Sequence, residues 1–213
     1  MNVHFIGKPC SGKGRLGKHH LTQVLAEKGF PVFFAGTGDA VRFKLENDPA
    51  FARQFKAKTE RRGLLDDGQL WSLVQELIAR NNIPLNDPDA VILWDCVLRN
   101  AAQTRRMSRE GILQPGDLVI YIEVTDATAK KKLRLRMKEE NRSDDNTKAH
   151  DEGVRRFNAS LHEVLGAIHE SGATLVTVNA NLPLDKWLAN ARKQMFDHFQ
   201  AHGFTAQGTP VAA

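Results

Sequence analysis

The apolar positions fall into two rhythms. Short, nearly unbroken apolar runs recur at Val3–Ile6, Pro31–Phe34, Ala90–Trp94, Leu118–Ile122 and Thr174–Val178. Runs of this length, bounded by turn residues, predict strands buried on both faces. Between them the apolar residues recur at helical spacing. Arg15 to Lys28 carries Leu16, Leu21, Val24 and Leu25 on one side and is closed by Gly29. Asp67 to Arg80 carries the clearest stripe, Leu70, Leu73, Val74, Leu77 and Ile78. Further helices are predicted over Asp39–Glu46, Pro49–Lys58, Arg99–Arg109, Asp126–Lys138, Asp144–Glu170 and Pro183–Ala201, with a frayed tail over 203–213. His19 and His20 are expected on the outer face of the first helix. Five buried strands separated by helices predict an α/β fold, a three-layer parallel five-stranded sheet. Ligands in such sheets bind at the carboxyl ends of the strands.

Composition narrows the class without changing this picture. The 213 residues are 41% hydrophobic and 26% charged, as in ordinary globular proteins. No apolar run approaches the roughly 18–20 residues of a membrane span, and no secretory signal pattern opens the chain. The two cysteines, Cys10 and Cys96, make no disulfide framework. A cytoplasmic monomer with no membrane partner is expected. The net charge of +5 suits an anionic ligand. The basic residues are dispersed and there is one tyrosine, so a base-stacking nucleic-acid surface is not expected.

The chemistry begins right after the first strand. Gly7, Lys8, Pro9, Cys10, Ser11, Gly12, Lys13 and Gly14 form a glycine-rich loop between a strand and a helix. Such a loop curls so that several backbone N–H groups converge on a phosphate, with the helix N-terminus behind them. Lys13 adds a mobile charge. A hydroxyl usually follows that lysine and holds Mg²⁺; here Gly14 stands in its place.

Four further segments accompany the loop: Thr37-Gly38-Asp39 with Arg42, Asp95 with Arg99 and Gln103, Arg142-Ser143-Asp144-Asp145, and Arg155-Arg156-Phe157. Together they resemble the nucleoside monophosphate kinases, adenylate kinase most of all, over about residues 1–200. In that family the loop reads G-x-P-x-x-G-K-G-T, so Gly14 is a family mark. The resemblance implies a P-loop kinase core over 1–35, 67–136 and 143–202, an acceptor-binding insert over about 36–66 and a short lid over about 137–142. It implies ATP-dependent phosphoryl transfer to a nucleoside monophosphate, AMP first, with Mg²⁺ as cofactor. A related kinase for UMP, CMP or another small acceptor, or a nucleotide-binding protein with little transferase activity, remains the alternative.

The same resemblance distributes the roles. Gly7, Pro9, Cys10, Ser11, Gly12, Lys13, Gly14, Arg15 and Lys132 would bind ATP. Thr37, Gly38, Arg42, Arg99 and Gln103 would bind the acceptor, the glutamine reading its base. Lys13, Arg99, Arg136, Arg142 and Arg156 would act on the transferring group, with Arg155 and Arg156 hard to tell apart. Asp95 would position Mg²⁺ through water, and Asp144 or Asp145 would orient lid arginines. Several positions depart from the family pattern. Arg15 replaces Thr, Cys96-Val97-Leu98 replaces Gly-Phe-Pro, Lys132 replaces an arginine that stacks on the donor adenine, and Leu64 and Asp66 replace residues near the acceptor base. Cys10, among converging N–H groups, is either a reactive thiol or an inert turn residue.

Overall fold

The computed structural model describes residues 1–60, 63, 65–139 and 146–206. Five strands form one sheet: β1 (Asn2–Ile6), β2 (Val32–Gly36), β3 (Val91–Asp95), β4 (Leu118–Glu123) and β5 (Thr174–Asn179). Their order is β2-β3-β1-β4-β5, and every pairing is parallel. The predicted five-stranded parallel α/β sheet is therefore the observed one.

Alternation along the strands explains the layers. Val3, Phe5, Val91, Leu93, Leu118, Ile120 and Ile122 belong to one core cluster, which Leu16, Leu21, Leu25, Trp187, Met195 and Phe199 complete. Ile6, Ile92, Trp94 and Val119 belong to the other, with Leu70, Leu73, Val74, Met107, Val164 and Ile168. Helices thus cover both faces of the central strands, which is why these read as apolar runs; β5, expected to be buried on both faces, lies at the sheet edge with Thr174, Leu175, Thr177 and Asn179 exposed.

The helices are α1 (Thr22–Glu27), α2 (Thr37–Asn47), α3 (Pro49–Glu60), α4 (Asp67–Arg80), α5 (Ala101–Arg109), α6 (Asp126–Glu139), α7 (Thr147–Glu170) and α8 (Leu184–Ala201). Side chains set several starts. Asp66 and Gln69 form a reciprocal capping box on α4, and Asn100 caps α5 by accepting from the Gln103 N–H. That cap places Arg99 ahead of the helix, where the sequence pattern had put it inside. A second difference concerns the helix after the phosphate loop. Arg15–Leu21 is π-helical and only then continues as α1. The wide turn forms where the Thr22 N–H and hydroxyl both donate to the Gly17 carbonyl. His20 turns inward with it: its Nε2 is buried, and the Arg192 charge of α8 lies close by, so only His19 keeps the expected outer face. Among the described residues no helix is long and apolar enough to cross a membrane.

Candidate functional site

The carboxyl ends of β1, β2 and β3 lie in register, Phe5 and Gly36 both opposite Asp95. The loop from Gly7 to Gly14 rises from the end of β1. Gly7 (φ 156°) and Gly12 (φ 112°) adopt conformations open to glycine. A Cβ on Gly7 would stand 2.8 Å from the Ile122 carbonyl oxygen, and one on Gly12 would stand 3.2 Å from the Trp187 ring. Gly14 has nothing within 4 Å of such an atom. Cys10 sits at φ 62°, a left-handed geometry unusual for a residue with a side chain. Ser11 is fully buried, and its hydroxyl finds no hydrogen-bond partner among the described residues. The Lys13 ammonium donates to the Gly7 carbonyl at 2.8 Å and the Lys8 carbonyl at 3.0 Å, folding across its own loop. Lys8 in turn is paired with Asp126 at the start of α6.

Lys132 has a different setting from a base-stacking cation. Its ammonium donates to the Ser11 carbonyl at 3.0 Å and the Ala180 carbonyl at 3.1 Å, and it lies 5.3 Å from the Trp187 ring centre. Burial pushes its pKa down, the nearby Arg15 charge adding to the effect. It pins the phosphate loop to the segment after β5. Arg15 itself is exposed beside it.

Cys96, just past β3, is the second node. It too is left-handed, at φ 69°. Its carbonyl accepts from the Thr37 hydroxyl at 2.9 Å and from Arg99 Nε at 3.1 Å. Its thiol donates to Asp95 Oδ1 at 2.9 Å. Burial, joined by the Asp95 charge, pushes the thiol pKa up, so the sulfur keeps its proton. Asp95, Thr37 and Arg99 therefore all converge on this one residue. Thr37 is buried and its hydroxyl is spent on backbone.

Arg42 lies one turn into α2, against Gly38, and is paired with Asp39. Burial raises the Asp39 pKa, but hydrogen bonds from Lys18 and Arg42 outweigh it and hold the carboxyl below its ordinary value. Gln103 is buried, and its Nε2 donates to the Leu65 carbonyl at 2.9 Å. Since a carbonyl only accepts, this contact fixes which end of the amide is which. Oε1 is left buried with no partner among the described residues.

The remaining predicted residues that are described stand on α6 and α7. Arg136 is half-buried on α6, one turn beyond Lys132. Arg156 lies 3.8 Å from Glu152 on α7. Arg155 is exposed and borders a cavity of about 280 Å³ between α6 and α7, with Asp126, Lys130 and His150. Leu64, Arg142, Asp144 and Asp145 are outside the described residues. Among the described residues no three His, Cys, Asp or Glu gather as metal ligands. Asp95, at the end of β3, is a half-buried carboxylate with one oxygen accepting from the Cys96 thiol. That suits Mg²⁺, which keeps several waters and binds phosphate oxygens in preference to an all-protein cage.

A curated adenylate kinase from Trichomonas vaginalis is 32% identical to this chain over 79 residues. The likeness relates the chain distantly to a nucleotide kinase. It covers 37% of this chain and 32% of that protein, so the chain spans about a third of its relative's length. No protein-family model matches the chain.

Proposed function

We propose that the chain transfers the terminal phosphoryl group of ATP to a nucleoside monophosphate, with AMP as acceptor. The observation that carries the acceptor assignment is the Gln103 amide. One N–H of its Nε2 is committed to the Leu65 carbonyl, and its Oε1 is buried with no partner among the described residues, an acceptor that a base N–H would satisfy. An amino group satisfies that oxygen, as on adenine or cytosine. A keto oxygen brought to the same point, as O6 of guanine would be in the pose of adenine, would leave two acceptors face to face and one of them buried without a partner; guanine and uracil could donate to it only from a ring N–H or amino group in a shifted pose.

The rest of the chemistry is positioning and charge. The loop N–H groups and Lys13 would hold the β- and γ-phosphates of ATP. Arg42 and Arg99 would hold the acceptor phosphate, with Arg136, Arg142 and Arg156 around the moving group. Bound Mg²⁺ would supply neutralisation of the donor phosphate oxygens, and Asp95 would hold it through water. The acceptor's phosphate is already anionic near neutral pH, so its oxygen attacks without a general base. Cys96 keeps Arg99 and Asp95 in register by accepting from one and donating to the other.

A coupled assay with ATP, Mg²⁺ and the four common ribonucleoside monophosphates tests this. Transfer to AMP exceeding transfer to each of the other three is expected. Lys13→Ala and Arg99→Ala abolish it, and Gln103→Leu erodes the preference for AMP. No transfer to any acceptor, with ATP binding intact, would return the chain to a nucleotide-binding role.

A further inference from the structure

We propose that Lys18 is a positioning residue for the acceptor-phosphate clamp, acting through Asp39 on Arg42. The inference rests on the acceptor role given to Arg42 above. One carboxylate is shared between two cations: Asp39 Oδ2 accepts from Lys18 Nζ at 2.7 Å, and Oδ1 accepts from Arg42 Nη2. Lys18 stands on the helix that follows the phosphate loop. Asp39 and Arg42 stand on α2, which opens the stretch expected to bind the acceptor. The relay therefore ties the element behind the donor loop to the acceptor arginine.

Two local features aim Lys18. The π-helical turns around Gly17 let the backbone approach the sheet, where a Cβ on Gly17 would stand 2.6 Å from the Phe5 ring. They also leave Lys18 exposed at the level of α2. Wide turns of this kind concentrate at functional sites. The pair is half-exposed on both sides, Lys18 at 50% and Asp39 at 43%, so screening leaves it little weight in global stability. Its consequence is geometric. Arg42 commits one of five N–H donors to Asp39 and keeps the others for a planar, bidentate grip on phosphate. Removing Lys18 leaves Asp39 with a single cation partner, and the carboxylate then draws the guanidinium away from that grip.

The test is Lys18→Met, Lys18→Arg, Asp39→Asn and the double variant Lys18→Met/Asp39→Asn. Two readouts are taken: steady-state transfer, and calorimetric AMP binding without ATP. Lys18→Met is expected to raise the acceptor KM and the AMP Kd about three- to fivefold, within what one exposed ion pair supports. The ATP KM and kcat hold, and Lys18→Arg restores the wild-type values. In the Asp39→Asn background, Lys18→Met does nothing further. An unchanged acceptor KM and Kd in folded Lys18→Met, or the same rise persisting without Asp39, overturns the relay. A wild type that binds AMP through the relay but transfers no phosphoryl group overturns the kinase reading alone. A wild type that binds no AMP overturns both.

Discussion

Cys96 offers a stability measurement whose sign is set by backbone geometry. At an ordinary helix or strand position glycine is less stable than alanine by about 0.5–1 kcal/mol, because it loses more freedom on folding. At φ 69° the order should invert. A left-handed residue with a Cβ carries about 1–2 kcal/mol of steric cost, which glycine escapes. Subtracting the glycine entropy of about 0.5–1 kcal/mol leaves Cys96→Gly above Cys96→Ala by about 0.5–1 kcal/mol at the middle of these ranges. The thiol donation to Asp95 is lost in both variants and cancels. For a chain of this size the gap is about 1–4 °C in Tm, readable by calorimetry or denaturant titration. Cys96→Ser, which keeps a donor, measures the cancelled contact separately. An alanine variant as stable as the glycine variant would refute the reasoning, since no strain would then reside at this node.

The loop glycines should separate by their surroundings. Gly7→Ala, with a backbone oxygen 2.8 Å from the new Cβ, should destabilise by more than about 1 kcal/mol and abolish ATP binding, while Gly14→Ala should leave Tm unchanged. Isothermal titration with ATP reads the first effect and thermal unfolding both. Lys132→Met should raise the ATP KM and leave the acceptor KM alone, with a shift in tryptophan emission as Trp187 loses its cation. Stability should fall as pH drops below about 6.5. Burial holds His20 and His198 below that ordinary value, so the unfolded chain takes up protons first and is favoured down to the folded values. His198→Gln should flatten the Tm against pH curve in that window.

The central strands were legible because both of their faces are buried: the neighbours Leu93 and Trp94 in β3, and Leu118 and Val119 in β4, point to opposite core clusters and are all wholly inaccessible. The helix stripes were legible for the same reason. The π-helical turn was not, since seven residues span too few turns to separate its period from an ordinary helix. Arg99 was placed inside its helix because the capping duty of Asn100 is written in geometry, not in spacing. The glycine-rich turn from β1 into the helix could be read from its glycines and their strand-to-helix context. The nodes around it could not. Nothing in the type of residue 96 announces a left-handed backbone, and Lys132 reads as a contact for ATP until Trp187 and two carbonyls are found around it.

Where each cation rests separates ligand from strut. Lys13 and Arg99 are held by neutral carbonyls. A phosphate oxygen makes a charge-assisted bond roughly twice as strong as such a contact, so both groups can exchange to phosphate at little cost. Lys132 also rests on carbonyls, but on two that belong to segments far apart in the chain. Moving it would strand both acceptors and uncouple the loop from the end of β5, so it is better suited to hold the loop than to follow a nucleotide. Arg42 is the opposite case, held by a carboxylate that a phosphate cannot displace cheaply. For that side chain the productive arrangement is one that keeps Asp39 and adds the phosphate. The partner that stabilises Asp39 in that position, Lys18, then has a part in acceptor binding without touching the acceptor.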